Sequence, residues 1–254
     1  MLSFMSIRVG TCGWSVKGGR KAYFKVFRVV ELQETFYKLP LAETARRWRE
    51  DAPSDFEFTV KAWQVITHPS SSPTWRKAGL KIDPEKAESY GHLKPTSENI
   101  EAWGKVLEIC RALNAKICIL QTPPSFSFSE ENVENMFKFF SRISRDDLVI
   151  GWEPRGTWGE KMNVVGEICR RLNIIHVVDP FRRMPTHYGK VCYFRLHGIG
   201  GGEVNYNYKY KLEDLVTLKK IVEKIASSGV DVYVMFNNIY MASDAREFMK
   251  LLEV

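Results

Sequence analysis

Apolar residues in this chain come in short runs, and each run ends in polar side chains that a strand interior would not choose. The runs read VVELQETFY (29–37), FEFTVKA (56–62), KICILQTPP (116–124), DLVIGWEPR (147–155), IIHVVDP (174–180), VCYFRLHG (191–198) and DVYVMFNN (231–238), with SIRVGT (6–11) before them. Their length and their β-branched and aromatic content predict strands. Segments of helical periodicity lie between: 41–52, 97–113, 129–144, 159–172, 212–229 and 242–253. Several open on Ser or Asp, which cap helix N-termini, and Gly229 supplies a helix stop. A helix or helical turn after each of eight strands, within 254 residues, predicts one α/β domain over 1–254, a single (β/α)8 TIM-type barrel with a parallel sheet. The spacing breaks only after the third strand, where about 62–96 reads as a long loop insertion. A loop leaving the carboxyl end of a barrel strand reads as a lid or side wall of a site, with Trp63, His68 and Trp75 as contacts; the bland alternative is a packed surface excursion.

The polar run ends are Glu31 and Gln33, Lys61, Gln121, Glu153, Asp179, Arg195 and His197, and Asn237 with Asn238. Burying such groups without partners costs on the order of several kcal/mol each, so a shared cluster at the carboxyl end of a barrel is the economical arrangement. Residues two apart in a strand share a face. Lys61 therefore sides with Thr59 and Glu57, Arg195 and His197 side with Tyr193, and Glu31 sides with Gln33. Carboxylates (Glu31, Glu153, Asp179) among cations (Lys61, Arg155, Arg195) can be tuned as base and acid. Arg155 and Arg195 suit a bidentate grip on phosphate or carboxylate, and His197 or His68 suits proton transfer near neutral pH. The alternative is a structural ion network inside the barrel.

Other features narrow the chemistry. No GxGxxG follows the first strand, so no nucleotide cofactor is expected. A divalent metal stays open: Glu31, Glu153, Asp179, His68 and His197 could coordinate one or two ions, although no HxH, HExxH or DxD spacing supports it. Cys12 in GTCGWS could be a nucleophile, but a small buried thiol is the better reading. The formal charge of +7 and pI near 9.1 fit nucleic acid, phosphorylated metabolites or other anions as partners, or simply a solvated basic surface. Five cysteines without CxxC spacing suggest neither a disulfide framework nor a zinc knuckle. With no leader pattern and no apolar stretch of bilayer length, a cytoplasmic protein that neither enters a membrane nor is secreted is expected.

Taken in order, GTCGWS (10–15), VELQETFY (30–37), FEFTVKAWQVITH (56–68), LQTPPSF (120–126), WEPRGTW (152–158), VVDPF (177–181), YFRLHG (193–198) and VYVMFNN (232–238) resemble the motif series of the domain of unknown function 72 family. The resemblance covers essentially the whole chain and implies a single TIM-type barrel. It implies site positions at Gly13, Trp14, Glu31, Phe36, Tyr37, Lys61, Thr67, His68, Gln121, Glu153, Arg155, Arg195, His197, Gly198, Asn237 and Asn238. Two departures stand out: Gln33 where the family usually has Asn, and Cys12 where Ser is common.

The leading expectation is an enzyme performing acid–base chemistry (hydrolysis, isomerisation or elimination) on a small molecule bearing phosphate or carboxylate. Glu153 would be the principal acid or base, helped by Glu31 and His197. Lys61, Arg155 and Arg195 would neutralise charge, and His68, Gln121, Asp179, Asn237, Asn238, Trp14 and Tyr37 would bind substrate. A nucleic-acid-binding or phosphodiester-cleaving barrel is the second expectation, resting on the basic charge and on Trp14, Trp63, Trp75 and Trp158 as stacking platforms. A noncatalytic ligand-binding barrel is the third.

Overall fold

The computed structural model describes residues 7–252. Eight strands are present among them: β1 (Ile7–Cys12), β2 (Val29–Leu32), β3 (Glu57–Lys61), β4 (Ile117–Gln121), β5 (Val149–Glu153), β6 (Ile175–His176), β7 (Val191–Leu196) and β8 (Asp231–Phe236). They form one sheet in the order β6-β5-β4-β3-β2-β1-β8-β7, and the pairs β1/β2, β1/β8, β3/β4, β4/β5 and β7/β8 are parallel. With β1 between β2 and β8, this is the strand order of a (β/α)8 TIM-type barrel. A bridge between Val178 and Phe194 adds a link from the segment after β6 to β7.

The helices are α1 (Gly19–Phe24), α2 (Glu34–Tyr37), α3 (Ala42–Asp51), α4 (Pro73–Ala78), α5 (Ser97–Leu113), α6 (Glu130–Arg142), α7 (Met162–Leu172), α8 (Leu212–Ala226) and α9 (Met241–Leu252). The longest begins where its sequence says it should. Thr96 accepts a hydrogen bond from the Asn99 N–H, and Asn114 ends α5 in the left-handed conformation. Ser129 does the same for α6 through Asn132. Among the described residues no helix is long and apolar enough to cross a membrane.

Several expected boundaries shift, each for a local reason. The run 29–37 is strand only to Leu32; Gln33 has helical φ and ψ of −91° and −28° and leads into α2, so it does not share a strand face with Glu31. The run 174–180 is strand over two residues, because the His176 N–H turns to the His187 carbonyl. The stretch 62–96 is broken by short helical pieces, 3-10 turns at Gln64–Ile66 and Pro84–Ser89 and the helix α4. Ser6 and Glu253, at the edges of the first expected strand and the last expected helix, lie outside the described residues.

The chain resolves into two compact units. One comprises the residues up to Glu31, Ala52–Glu57 and everything from Ile175 onward; the other comprises Leu32–Asp51 and Phe58–Ile174. In the first, Tyr23, Phe27, Phe194, Leu196, Val234 and Phe248 are fully buried, and α9 packs on β1, β8 and α8. Near the amino ends of its strands, Glu57 accepts from Arg8 Nε at 2.6 Å and from Tyr233 Oη at 2.5 Å. In the second, Val60, Ile66, Val106, Leu113, Phe126 and Phe139 are fully buried, and α3 packs on α5. All five cysteines are buried free thiols.

Candidate functional site

Within the second unit, β3, β4 and β5 each end on a polar residue: Lys61, Gln121 and Glu153. The parallel register sets Lys61 beside Ile119 and Gln121 beside Glu153. Alternation along each strand is what turns these last residues the same way. Lys61 is 8% exposed; its Nζ donates to Gln121 Oε1 at 2.9 Å and stands 4.0 Å over the Phe36 ring. A carbonyl oxygen and a π face are both attractive partners for a cation. The Thr35 hydroxyl donates to the Lys61 carbonyl at 2.7 Å and so ties the first turn of α2 to the end of β3. Glu153, 4% exposed, is ion-paired with Arg155 through Nη2. The Pro154 turn brings Arg155 back over its strand neighbour.

His68 completes this group. Its Nδ1 is 2.8 Å from the Thr67 hydroxyl, and its ring meets Phe36 edge to face at 4.9 Å. Burial, then Lys61 and then His92, push its pKa down to about 3. The imidazole is therefore neutral through the physiological range, a polar contact rather than a proton-charged one. Tyr37 lies edge-on to Phe36 at 5.1 Å, with Lys77 Nζ 5.2 Å from its ring.

Within the first unit, Glu31 and Arg195 form a fork. Arg195 Nε lies 3.0 Å from Oε2 and Nη2 lies 2.9 Å from Oε1, while Tyr193 Oη donates to Oε2 at 2.9 Å. Glu31 is fully buried and Arg195 is 1% exposed. Asp179 holds chain turns: Oδ2 accepts from the His197 N–H at 2.8 Å and Oδ1 from the Phe181 N–H at 3.0 Å. The His197 ring is buried, with Nδ1 3.9 Å from Asp179 Oδ2. Gly198 follows with φ of 85°; a Cβ there would lie 2.1 Å from the Asn205 carbonyl, so only glycine fits. Asn238 Nδ2 donates to the Tyr208 carbonyl and to Asp244 Oδ2, each at 2.7 Å, which pins the 205–210 loop to α9. Burial raises the pKa of Asp244 from its ordinary value. Asn237 is half-buried, its N–H on the Leu196 carbonyl at 2.9 Å.

The aromatic expectations divide. Trp75 and Trp158 are 3% and 0% exposed, with their indole N–H groups on the His68 and Phe126 carbonyls, so neither is a loop platform. Trp14 is partly exposed, edge-on to Tyr23 and Phe24 and parallel to Phe56 at 6.5 Å. Trp63 lines a cavity of about 540 Å³ with Leu39, Pro40, Leu80 and Ile109, and its buried Nε1 meets no acceptor among the described residues. Cys12 is 4% exposed, as a packed thiol should be. Among the described residues no group of three or more His, Cys, Asp or Glu side chains is gathered to hold a metal ion. Of the five residues named as possible ligands, Glu31 and Asp179 have oxygens engaged by Tyr193, Arg195 and backbone N–H groups.

The sequence reading did not assign roles to Tyr193, Asp244, His92 or Ser125. Tyr193 was legible from alternation with Arg195. Asp244 sits inside a helical pattern that gives no sign of a buried carboxylate.

Comparison with known proteins agrees with the strand order. UPF0759 protein YunF of Bacillus subtilis is 24% identical over 262 residues, covering 92% of this chain and 86% of its own. The crystal structure of a DUF72 family protein from Thermotoga maritima shares 28% identity and a TM-score of 0.70, covering 98% of this chain and all of its own. A xylose isomerase domain containing protein from Salmonella typhimurium shares the fold at a TM-score of 0.53 and 14% identity, covering 91% of this chain and 90% of its own. The profile described as protein of unknown function DUF72 matches residues 8–254, and this chain belongs to that family.

Proposed function

We propose that the protein is an enzyme that binds a small phosphate- or carboxylate-bearing molecule and transfers a proton with Glu153. The observation that carries this reading is the convergence of Lys61, Gln121 and Glu153 on the ends of three neighbouring parallel strands. Lys61 and Arg155 are cationic, Glu153 is anionic and His68 is neutral, so positive charge is in excess among these side chains. Beside a guanidinium a carboxylate stays ionised and free to take up a proton, and its low exposure works the other way, because removal from water restores basicity that the ion pair takes away. Lys61 and Arg155 take the substrate's charge, and Gln121 and neutral His68 orient it through hydrogen bonds. Hydrolysis, isomerisation and elimination all contain such a proton transfer.

The test is a thermal-shift screen of inorganic phosphate and of phosphorylated and carboxylated metabolites, followed by turnover assays on the binders. Glu153→Gln should keep binding and lose turnover, whereas Lys61→Met should lose binding. Full turnover by Glu153→Gln on the true substrate would sink the assignment. Of the four tryptophans on which nucleic-acid stacking would depend, Trp75 and Trp158 are buried.

A further inference from the structure

The connection from β3 to α5 holds a turn that this chemistry leaves unused. Gly91, His92 and Leu93 are consecutive residues in the left-handed region, with φ of 79°, 51° and 51°. A non-glycine residue there is strained, so the surroundings must enforce it. They do so through backbone bonds from Gly91 to Val65 (2.7 Å), His92 to Thr67 (3.1 Å) and Leu93 to Ile66 (3.0 Å). Asn99 Nδ2 donates to the Gly91 and Lys94 carbonyls, both at 3.0 Å, and the Leu93 side chain is fully buried. A Cβ on Gly91 would lie 2.6 Å from the His68 backbone, so the turn cannot slide.

The enforced turn places His92 Nε2 at 3.2 Å from Ser125 Oγ. The imidazole is steadied by Phe126, 5.7 Å between centroids, and Phe126 itself is fully buried. Ser125 follows Pro123 and Pro124, whose rings fix φ, and the Phe126 N–H closes the turn on the Pro123 carbonyl at 2.9 Å. Its side of the pair is open to solvent. Partial burial and then Lys94 lower the His92 pKa, against a smaller opposing effect of Glu88, which keeps the imidazole neutral and able to accept a proton.

We propose that Ser125 is a nucleophile with His92 as its general base, and that the pair accepts acyl groups from small esters. Ser125 Oγ bonds to the ester carbonyl carbon as its proton passes to His92 Nε2. The carbon–alkoxy bond then breaks and the proton leaves with the alcohol. Water, deprotonated by the same nitrogen, hydrolyses the acyl-serine and regenerates the hydroxyl. This activity stands apart from that proposed for Glu153.

The test uses the full-length chain and a tagged fluorophosphonate, which a nucleophilic serine attacks with loss of fluoride. Peptide mapping should find one adduct, on Ser125, absent from Ser125→Ala. His92→Gly, which accepts the positive φ, should label on the order of 100-fold more slowly and recover speed when imidazole is added. His92→Asn, which also tolerates the left-handed region, provides a second base-deleted variant should the glycine lower stability. Hydrolysis of 4-nitrophenyl acetate should follow the same ranking. No adduct, an adduct elsewhere, or unchanged labelling in a folded His92 variant would overturn the proposal.

Discussion

At Glu31 and Arg195 a carboxylate meets a guanidinium with both partners out of water, and a tyrosine hydroxyl adds a third donor. At Lys61, Gln121, Glu153 and Arg155 the same residue types sit on strand ends, yet an amide replaces one carboxylate and positive charge is in excess. The first arrangement balances its charges internally and suits holding strands in place. The second suits receiving an anion. The difference teaches that a polar strand end is not by itself a site; what matters is whether its charge is balanced by its own neighbours.

The largest expected effect lies in the balanced cluster. Removing one partner of a buried pair leaves the other charge stranded, so Glu31→Gln should cost about 3–5 kcal/mol in urea unfolding. A loss below about 1 kcal/mol would erase the distinction between the clusters. Glu153→Gln strands the less deeply buried Arg155, whose side chain is 11% exposed, and should cost less, about 1–3 kcal/mol, while lowering turnover on the order of 100-fold or more. His68 gives a pH signature. Its pKa of about 3 in the fold lies below the ordinary imidazole value, so the unfolded chain binds more protons as pH falls. Stability should be intact above about pH 6.5 and drop by about 2 kcal/mol by pH 5, a drop that His68→Gln should abolish when melts are compared at the two pH values. The smallest effect is expected for Tyr193→Phe, at about 1–2 kcal/mol for one donor to a carboxylate that keeps Arg195.

Alternation made the inward residues legible, because a period of two assigns faces without knowledge of partners. That period set Lys61, Arg195 and His197 on the polar faces of their strands, whereas Gln121 and Glu153 were legible as polar residues ending apolar runs. Partnership was not legible. Nothing in VVELQETFY says that the chain leaves the strand at Gln33, or that Glu31 is matched by Arg195, 164 residues away. The pairing of Arg8 with Glu57 near the opposite strand ends went unseen for the same reason. His92 was hidden by its backbone: a left-handed histidine has no sequence signature unless glycine stands in its place, and only the flanking Gly91 hinted at a turn.

The five buried thiols turn the molecule into its own reporter of motion. Cys12, Cys118 and Cys192 lie in β1, β4 and β7, and Cys110 and Cys169 in α5 and α7. Burial pushes Cys169 and Cys192 up to about 12, so neither reacts unless its element opens. Timed alkylation in native buffer, read residue by residue, would rank these elements by opening free energy without any introduced label.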